Sequence, residues 1–427
     1  MHVLAREDLP TLFEALRNEG REIIGPTVRD GAIVYDEIDG TGQLPRGWTD
    51  RQAPGSYRLE RREDDAYFGF AAGPDSWKKW LFPPRETLYR ARRRDDGKIG
   101  FDPVMPETTP RAFVGVRACE LAAMRVQDRT YLDGPHVEPR YRARREAALV
   151  VAVNCTEAGD LCFCTSTDTG PEVGEGADLV LTELPDRFVV EARSERGEGV
   201  LDRLPTEHAG PDDRREVEEG IDHAARNMGR SMDTNNLPGI LFGNLDHPRW
   251  NDVAERCLSC GNCTNVCPTC FCATCESSSS IDGTESARTR SWDSCFTPEH
   301  GEIHGHDVRP TILDRYRQWL THKVGSWVSQ FGTSGCVGCG RCIAWCPVGI
   351  DLTQEVAAIR ADAEPAVSMP ERPHHTPRDA ETQVPRPATV TAVTRETHDT
   401  VTLHVEDTGG PSPEPGQFHM LSLPGVG

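Results

Sequence analysis

The sequence predicts an α+β protein made of an N-terminal α/β domain, a mostly helical cysteine-rich module and the opening strands of a further β domain. Three observations carry this. Residues 1–245 hold short continuous apolar runs, 112–116 and 147–153, which read as buried strands. Residues 246–363 carry two copies of one cysteine spacing, with helical apolar spacing between them. Residues 388–427 alternate like strands after a proline-rich stretch.

Within residues 1–245, segments 31–38 and 57–70 read as strands with turns. The two apolar runs each lead to a cysteine, Cys119 and Cys155, and functional groups of open α/β sheets gather beyond the carboxyl ends of such strands. Residues 178–183 and 187–192 form an expected hairpin around Pro185 and Asp186, and 194–222 a helix with surface loop. In the second unit, Ile312, Leu313, Tyr316, Trp319, Leu320, Val324 and Trp327 recur at helical spacing, so the cysteine motifs are expected at helix starts. Residues 364–387, with six prolines, read as a linker. The strands at 388–393, 400–405 and 419–423 cannot close a barrel by themselves, so this part is expected to continue into a longer domain or to be completed by a partner.

Composition narrows the class. A length of 427 residues suits two or three domains. A net charge of −21 argues against nucleic acid and against anionic lipid. No run approaches the roughly 20 apolar residues of a spanning helix, and the N-terminus has no signal-peptide pattern. Sixteen cysteines in such a chain point to metal ligation in a reducing compartment, hence a cytoplasmic protein. The only lysines are Lys78, Lys79, Lys98 and Lys323, which a bias toward arginine codons would account for.

The chemistry lies in the cysteines. Cys257, Cys260, Cys263 and Cys267, then Cys336, Cys339, Cys342 and Cys346, each read C-x2-C-x2-C-x3-C-P, the bacterial pattern for cubane iron–sulfur clusters. Three thiolates on one tight loop cap three corners of a cube, and Gly261 and Gly340 supply the left-handed backbone such a loop needs. A pair of zinc knots is the competing reading, but zinc requires neither the third close cysteine nor the proline. Cys119, Cys155, Cys162 and Cys164 form a second constellation. A third cluster there competes with packing of the thiols as small hydrophobes; about twelve irons per chain against about eight separates the two.

Cys270, Cys272, Cys275 and Cys295 are open between a further cluster and tuning of the first cube, with Cys272 and Cys275 as candidate filler. His300, His304 and His306 read as a metal tract or as exposed histidines, and Arg85 and Glu86 as a buried pair or a partner surface. His322 and Lys323 would close their helix as cations at its C-terminal dipole. No phosphate loop, dinucleotide fingerprint or catalytic triad is present, and no catalytic residue is assigned.

The stretches KKWLFPPRETLYR, GVRACELAAM, VAVNC with CFCTSTDTGP, CLSCGNCTNVCPTCFC, RSWDSC, RYRQWLTHK and GCVGCGRCIAWCPVGIDLT, spanning 78–353, resemble the iron–sulfur beta subunit of cytoplasmic sulfhydrogenases. They equally resemble its iron–sulfur relative in anaerobic sulfite reductase. The PGQF and GVG segments of the tail resemble the opening of a ferredoxin-reductase-type flavin-binding domain. The resemblance implies an N-terminal α/β domain (1–245), an α-helical-type dicluster ferredoxin domain (246–363), the linker (364–387) and a truncated β-barrel start (388–427). It also implies two 4Fe–4S clusters, with FAD only through the remainder of the last domain. Carried over from two-cluster ferredoxins, Cys257, Cys260, Cys263 and Cys346 hold one cube, and Cys336, Cys339, Cys342 and Cys267 the other. The implied partners are a nickel–iron hydrogenase or sulfite reductase catalytic subunit and a flavin or NAD(P)-binding subunit. The expected role is an electron-transfer component, not an enzyme with its own bond chemistry. Two alternatives stand: a self-contained flavin and iron–sulfur oxidoreductase if the chain continues past residue 427, and a redox-sensing or scaffold protein with structural clusters.

Overall fold

A computed structural model describes residues 1–71, 73–94, 99–106, 108–133, 136–303, 305–363, 389–395 and 401–406. The 364–387 linker, the strand expected at 419–423, the PGQF and GVG segments, Lys98 and His304 lie outside the described residues.

The apolar runs of the first unit build an eight-stranded mixed sheet. Its order is Thr206–His208, His2–Ala5, Arg187–Ala192, Leu179–Glu183, Leu149–Val153, Arg111–Arg117, Glu22–Arg29 and Ala32–Glu37. The four strands Glu22–Arg29, Arg111–Arg117, Leu149–Val153 and Leu179–Glu183 run parallel, and the others are antiparallel. Every residue of Leu149–Val153 is shielded from solvent, as a strand covered on both faces requires. Leu149, Val151 and Val153 face one core with the helix Leu9–Asn18; Val150 and Ala152 face another with the helices Ala118–Tyr131 and Pro139–Ala147. The hairpin expected at 178–192 is present, and 194–222 resolves into helices Glu195–Leu201 and Pro211–Arg226.

A bulge in Arg111–Arg117 bears on the site. The register shifts between Val114 and Val116, and Gly115 sits at φ 87°. Two residues apart on a regular strand would share a face, yet Val114 lies in one core and Val116 in the other. The extra residue re-aims the end of the strand, so that Arg117 is buried beside the cysteines that follow.

The second unit packs helices Leu237–Gly243, Arg249–Arg256, Ile312–Thr321, Trp327–Phe331 and Leu352–Ala361 around Trp250, Tyr316, Trp319, Leu320, Val356 and Ile359. The helix expected over 311–331 begins at a Thr311–Asp314 capping box and is interrupted by a π turn, His322–Ser326, before Trp327–Phe331 ends at left-handed Gly332.

This unit is less purely helical than expected. Ala273–Ser279 and Glu285–Trp292 form a hairpin, and the second of these pairs with Arg85–Arg93, which pairs with Ile99–Pro103, in a four-stranded sheet shared with the N-terminal half. The reason is composition: the hairpin strands are mostly serine, threonine and charged residues, so apolar periodicity is silent there. At the tail, Thr389–Arg395 and Val401–Glu406 pair antiparallel; no closed barrel occurs among the described residues.

Candidate metal centre

Each cysteine motif turns on its glycine. Gly261 (φ 74°) and Gly340 (φ 73°) precede the short helices Asn262–Asn265 and Arg341–Ala344, which carry Cys263 and Cys342. The left-handed step folds the loop back, so that the two preceding thiols and the one on the helix share one side. Cys257, Cys260 and Cys263 line a single cavity, and two thiols of the other motif, Cys342 and Cys346, line it with them, the latter 79 positions after Cys267 in the chain. Phe296, Tyr316, Trp319 and Leu352 close its inner wall, while Cys260 is exposed. Two sulfurs accept backbone amides: Ser259 N–H donates to Cys257 Sγ at 3.4 Å and Ile350 N–H to Cys346 Sγ at 3.3 Å. Ser259 turns its amide inward through a left-handed backbone, φ 52°.

The second set lies deeper. Cys267 and Cys336 are both buried, and burial pushes the Cys336 thiol up to about 12. Cys342 is raised well above the ordinary thiol range, first by burial and then by the charges of Cys336, Cys339 and Cys267. Cys267 moves the opposite way, well below that range, because Cys270 donates to it and Lys323 lies beside it. Cys342 also lines the first cavity, so the two sets share a wall.

Cys119, Cys155, Cys162 and Cys164 converge as well. They line one cavity beyond the carboxyl ends of Arg111–Arg117 and Leu149–Val153, as the α/β reading requires. Cys119 opens the helix Ala118–Tyr131, and Cys162 and Cys164 flank Phe163 in a tight turn. Burial pushes the Cys162 thiol up to about 12. Cys339 of the second motif lines the same cavity, so the second set adjoins the third as it adjoins the first.

The joint between these sites is a close backbone contact. Phe163 N–H donates to Gly338 O at 2.8 Å, and Thr169 Oγ1 donates to Val337 O at 2.8 Å. A Cβ on Gly338 would lie 2.6 Å from Cys164 Cα, at a φ of +62° that side chains rarely adopt. Gly338→Ala is therefore expected to push the two loops apart and deplete metal from the Cys119, Cys155, Cys162 and Cys164 set. Iron analysis checks this, with normal iron at that set as the contrary result.

Buried arginines flank the sulfurs. Arg117 donates to Phe68 O at 2.6 Å and Phe70 O at 3.0 Å, and its other nitrogen lies 3.8 Å from Cys155 Sγ. Arg341, beside Cys342 in sequence, forms an ion pair with Glu120, both wholly buried. Tyr35 Oη (2.7 Å) and Trp77 Nε1 (3.0 Å) donate to the same carboxylate. Sequence reasoning assigned no role to Arg117, Glu120 or Arg341; the adjacency of Arg117 and Glu120 to Cys119, and of Arg341 to Cys342, was the available signal.

The remaining cysteines divide. Cys275 is exposed, whereas Cys270, Cys272 and Cys295 are half-buried. A bond from Cys295, followed by one from His300, holds the Cys272 thiol down to about 4, and His300 Nδ1 lies 2.7 Å from Asp293 Oδ2. His300 thus engages a thiol and a carboxylate. Glu86 pairs with Arg144 and Arg290 and not with Arg85. The dipole role read for Lys323 does not account for its place: it lies in the π turn, 6% exposed, with its ammonium against Cys267.

The donor sets fit iron–sulfur clusters. Each of the three sets offers thiols alone, largely shielded from water, in agreement with cluster chemistry. Among the described residues no group of three or more His, Cys, Asp or Glu side chains is placed to hold a single metal ion. A zinc knot would need four sulfurs about 2.3 Å from one point, whereas a cubane separates its thiolates by the width of the cube.

Three groups of cysteines thus gather on an α/β sheet and a helical module. Residues 256–350 match the 4Fe-4S dicluster domain, which agrees with iron–sulfur clusters in this part of the chain. Over 366 residues, 84% of this chain and 97% of the relative, it is 29% identical to sulfhydrogenase 2 subunit beta of Pyrococcus furiosus. Together these matches support the iron–sulfur beta-subunit family that the motifs implied. No solved structure matches the chain significantly. No helix among the described residues is long and apolar enough to cross a membrane.

Proposed function

We propose that this chain is an electron relay that passes single electrons along three cubane clusters to or from a catalytic partner. The observation that carries the reading is the sharing of walls: Cys342 of the second set lines the first cavity, and Cys339 lines the third. Cys257, Cys260, Cys263 and Cys346 would hold the first cluster, and Cys267, Cys336, Cys339 and Cys342 the second. Cys119, Cys155, Cys162 and Cys164 would hold the third, which makes residues 246–363 the dicluster domain and gives the N-terminal domain a redox site of its own. Each cluster, when bound, accepts and releases one electron at a time.

The chain's own residues do the rest. The thiolates bind and space the clusters, Phe296, Tyr316 and Trp319 exclude water from the first, and exposed Cys260 opens that site to the surface. The relative's name places it in a sulfhydrogenase, so the catalytic partner proposed here is a hydrogenase-type subunit, with sulfite reductase as the other member of the class. The tail hairpin Thr389–Arg395 with Val401–Glu406 would open a flavin module, which converts hydride pairs into single electrons.

Anaerobic purification followed by iron and sulfide analysis is expected to give about twelve irons per chain, and a redox titration three reversible one-electron steps. Clusters that never reduce reversibly would favour the structural-scaffold reading. Colourless protein, or zinc in place of iron, would overturn the proposal.

A further inference from the structure

We propose that Lys78 and Lys323 are positioning cations that raise the reduction potential of the second cluster site above that of the first. The proposal rests on reading Cys267, Cys336, Cys339 and Cys342 as ligands of that cluster.

Lysine is scarce in this chain, four among 47 basic residues. Among the described lysines two are buried, Lys78 at 4% and Lys323 at 6% exposure, and they converge on the same segment, 264–270. Lys323 enters from the π turn. Its Nζ donates to Cys267 Sγ at 3.2 Å, Thr269 Oγ1 at 3.2 Å and Cys270 Sγ at 3.4 Å. Lys78 enters from the helix Lys78–Leu81; its Nζ donates to Asn265 O at 3.3 Å and Thr264 O at 3.5 Å and lies 3.9 Å from the Trp292 ring centroid.

Among the described residues neither lysine pairs with a carboxylate, while half-buried Lys79 pairs with Asp75. A buried ammonium is costly without an anion beside it. For Lys323 the anionic groups on hand are the sulfurs of Cys267 and Cys270; Lys78 stands behind the same segment on backbone carbonyls and the Trp292 ring. Fan-like donation to three acceptors suits a compact ammonium and not a planar guanidinium, which explains lysine in a chain that otherwise uses arginine.

A four-thiolate cubane is anionic, and reduction adds one more negative charge. A fixed cation at bonding distance from a ligand sulfur stabilises the reduced form more than the oxidised form, by Coulomb attraction in a medium of low polarity. No lysine donates to a sulfur of the first site; the Lys323 charge reaches Cys263 there, but without a bond. The sulfurs of that site accept from the amides of Ser259 and Ile350, and its wall is Phe296, Tyr316 and Trp319. The Arg341 charge nearby is already matched by Glu120. The contrast in charge sets the direction, with the second site as the easier to reduce.

The test is a potentiometric titration, followed by electron paramagnetic resonance, of the full chain purified anaerobically as wild type, Lys323→Met, Lys78→Met and Lys323→Arg. Cys267→Ser identifies which signal belongs to the second site. In Lys323→Met that signal is expected to lose at least tenfold in its reduction equilibrium constant, about 59 mV for one electron, with the other signals moved less. Lys78→Met should shift it the same way by less, and Lys323→Arg should recover part of the loss. Unchanged midpoints in both methionine variants at full iron content would overturn the inference. If Lys323→Met fails to retain the second cluster, Lys78→Met decides on the same criterion. Loss of iron from that site alone in both variants, with recovery in Lys323→Arg, also upholds the need for charge. Absence of iron from the wild type would instead overturn the relay reading.

Discussion

Cys346→Ser is expected to remove about four irons per chain, and they should be the same four that Cys257→Ser removes. Cys346 belongs by sequence to the second motif, yet its side chain lines the cavity of Cys257, Cys260 and Cys263. The double variant should therefore lose no more iron than either single one. Cys267→Ser should deplete the set of Cys336, Cys339 and Cys342. Iron and acid-labile sulfide analysis, with low-temperature spectra to tell the clusters apart, checks both statements. Were Cys346→Ser to empty the second site, each motif would serve its own cube and the crossed arrangement would be wrong. Because four irons and a redox step disappear together, electron transfer through the chain should fall to background in either case.

Glu120→Ala should be the most destabilising substitution away from the cysteines. It leaves Arg341 charged and buried, and removes the acceptor used by Tyr35 and Trp77. Breaking one partner of a buried pair costs about 3–5 kcal/mol because the other charge stays uncompensated. The pair also joins the α/β domain to the helix that carries Cys342, so the loss falls on the contact between the two units. Denaturant titration of the anaerobic holoprotein, with far-ultraviolet circular dichroism as readout, should show the midpoint drop. Glu120→Gln, which keeps the volume and one acceptor oxygen but not the charge, should recover part of it. A midpoint within experimental error of wild type in Glu120→Ala would show that the pair contributes little.

Lysine scarcity shows how a sequence feature changes meaning in three dimensions. Codon bias accounts for the many arginines, yet it says nothing about where the few lysines fall. In the sequence Lys323 reads as a cation at the C-terminal dipole of its helix. In the structure the helix continues through a π turn, which rotates Lys323 by part of a turn toward Cys267. No residue-by-residue pattern announces a π turn, since the extra residue in the backbone is decided by packing of Trp319, Val324 and Trp327 in the core.

The same division runs through the sheets. Leu149–Val153 was legible because a strand buried on both faces must be apolar throughout, and that demand is written in every position. The hairpin Ala273–Ser279 with Glu285–Trp292 was not, because a polar strand gains its place from the hydrogen bonds of its neighbours, and side-chain alternation does not record those. The convergence of Cys119, Cys155, Cys162 and Cys164 lay between these cases. Strand ends placed the first two at one edge of the sheet, but the seating of the CFC turn depended on Gly338 from a segment 174 residues after Cys164.

By itself, then, the order of amino acids determined the two cubane motifs, the glycine steps within them and the buried parallel strands, since local spacing and local burial dictate those features. Tertiary structure alone decided that Cys339 and Cys342 stand between neighbouring sites and that two buried lysines face the second, whereas the crossing of Cys346 was already implied by the resemblance to two-cluster ferredoxins. These depend on distances between residues far apart in the chain. Charge and sulfur act through space, and spacing along a sequence carries no record of which remote groups will meet.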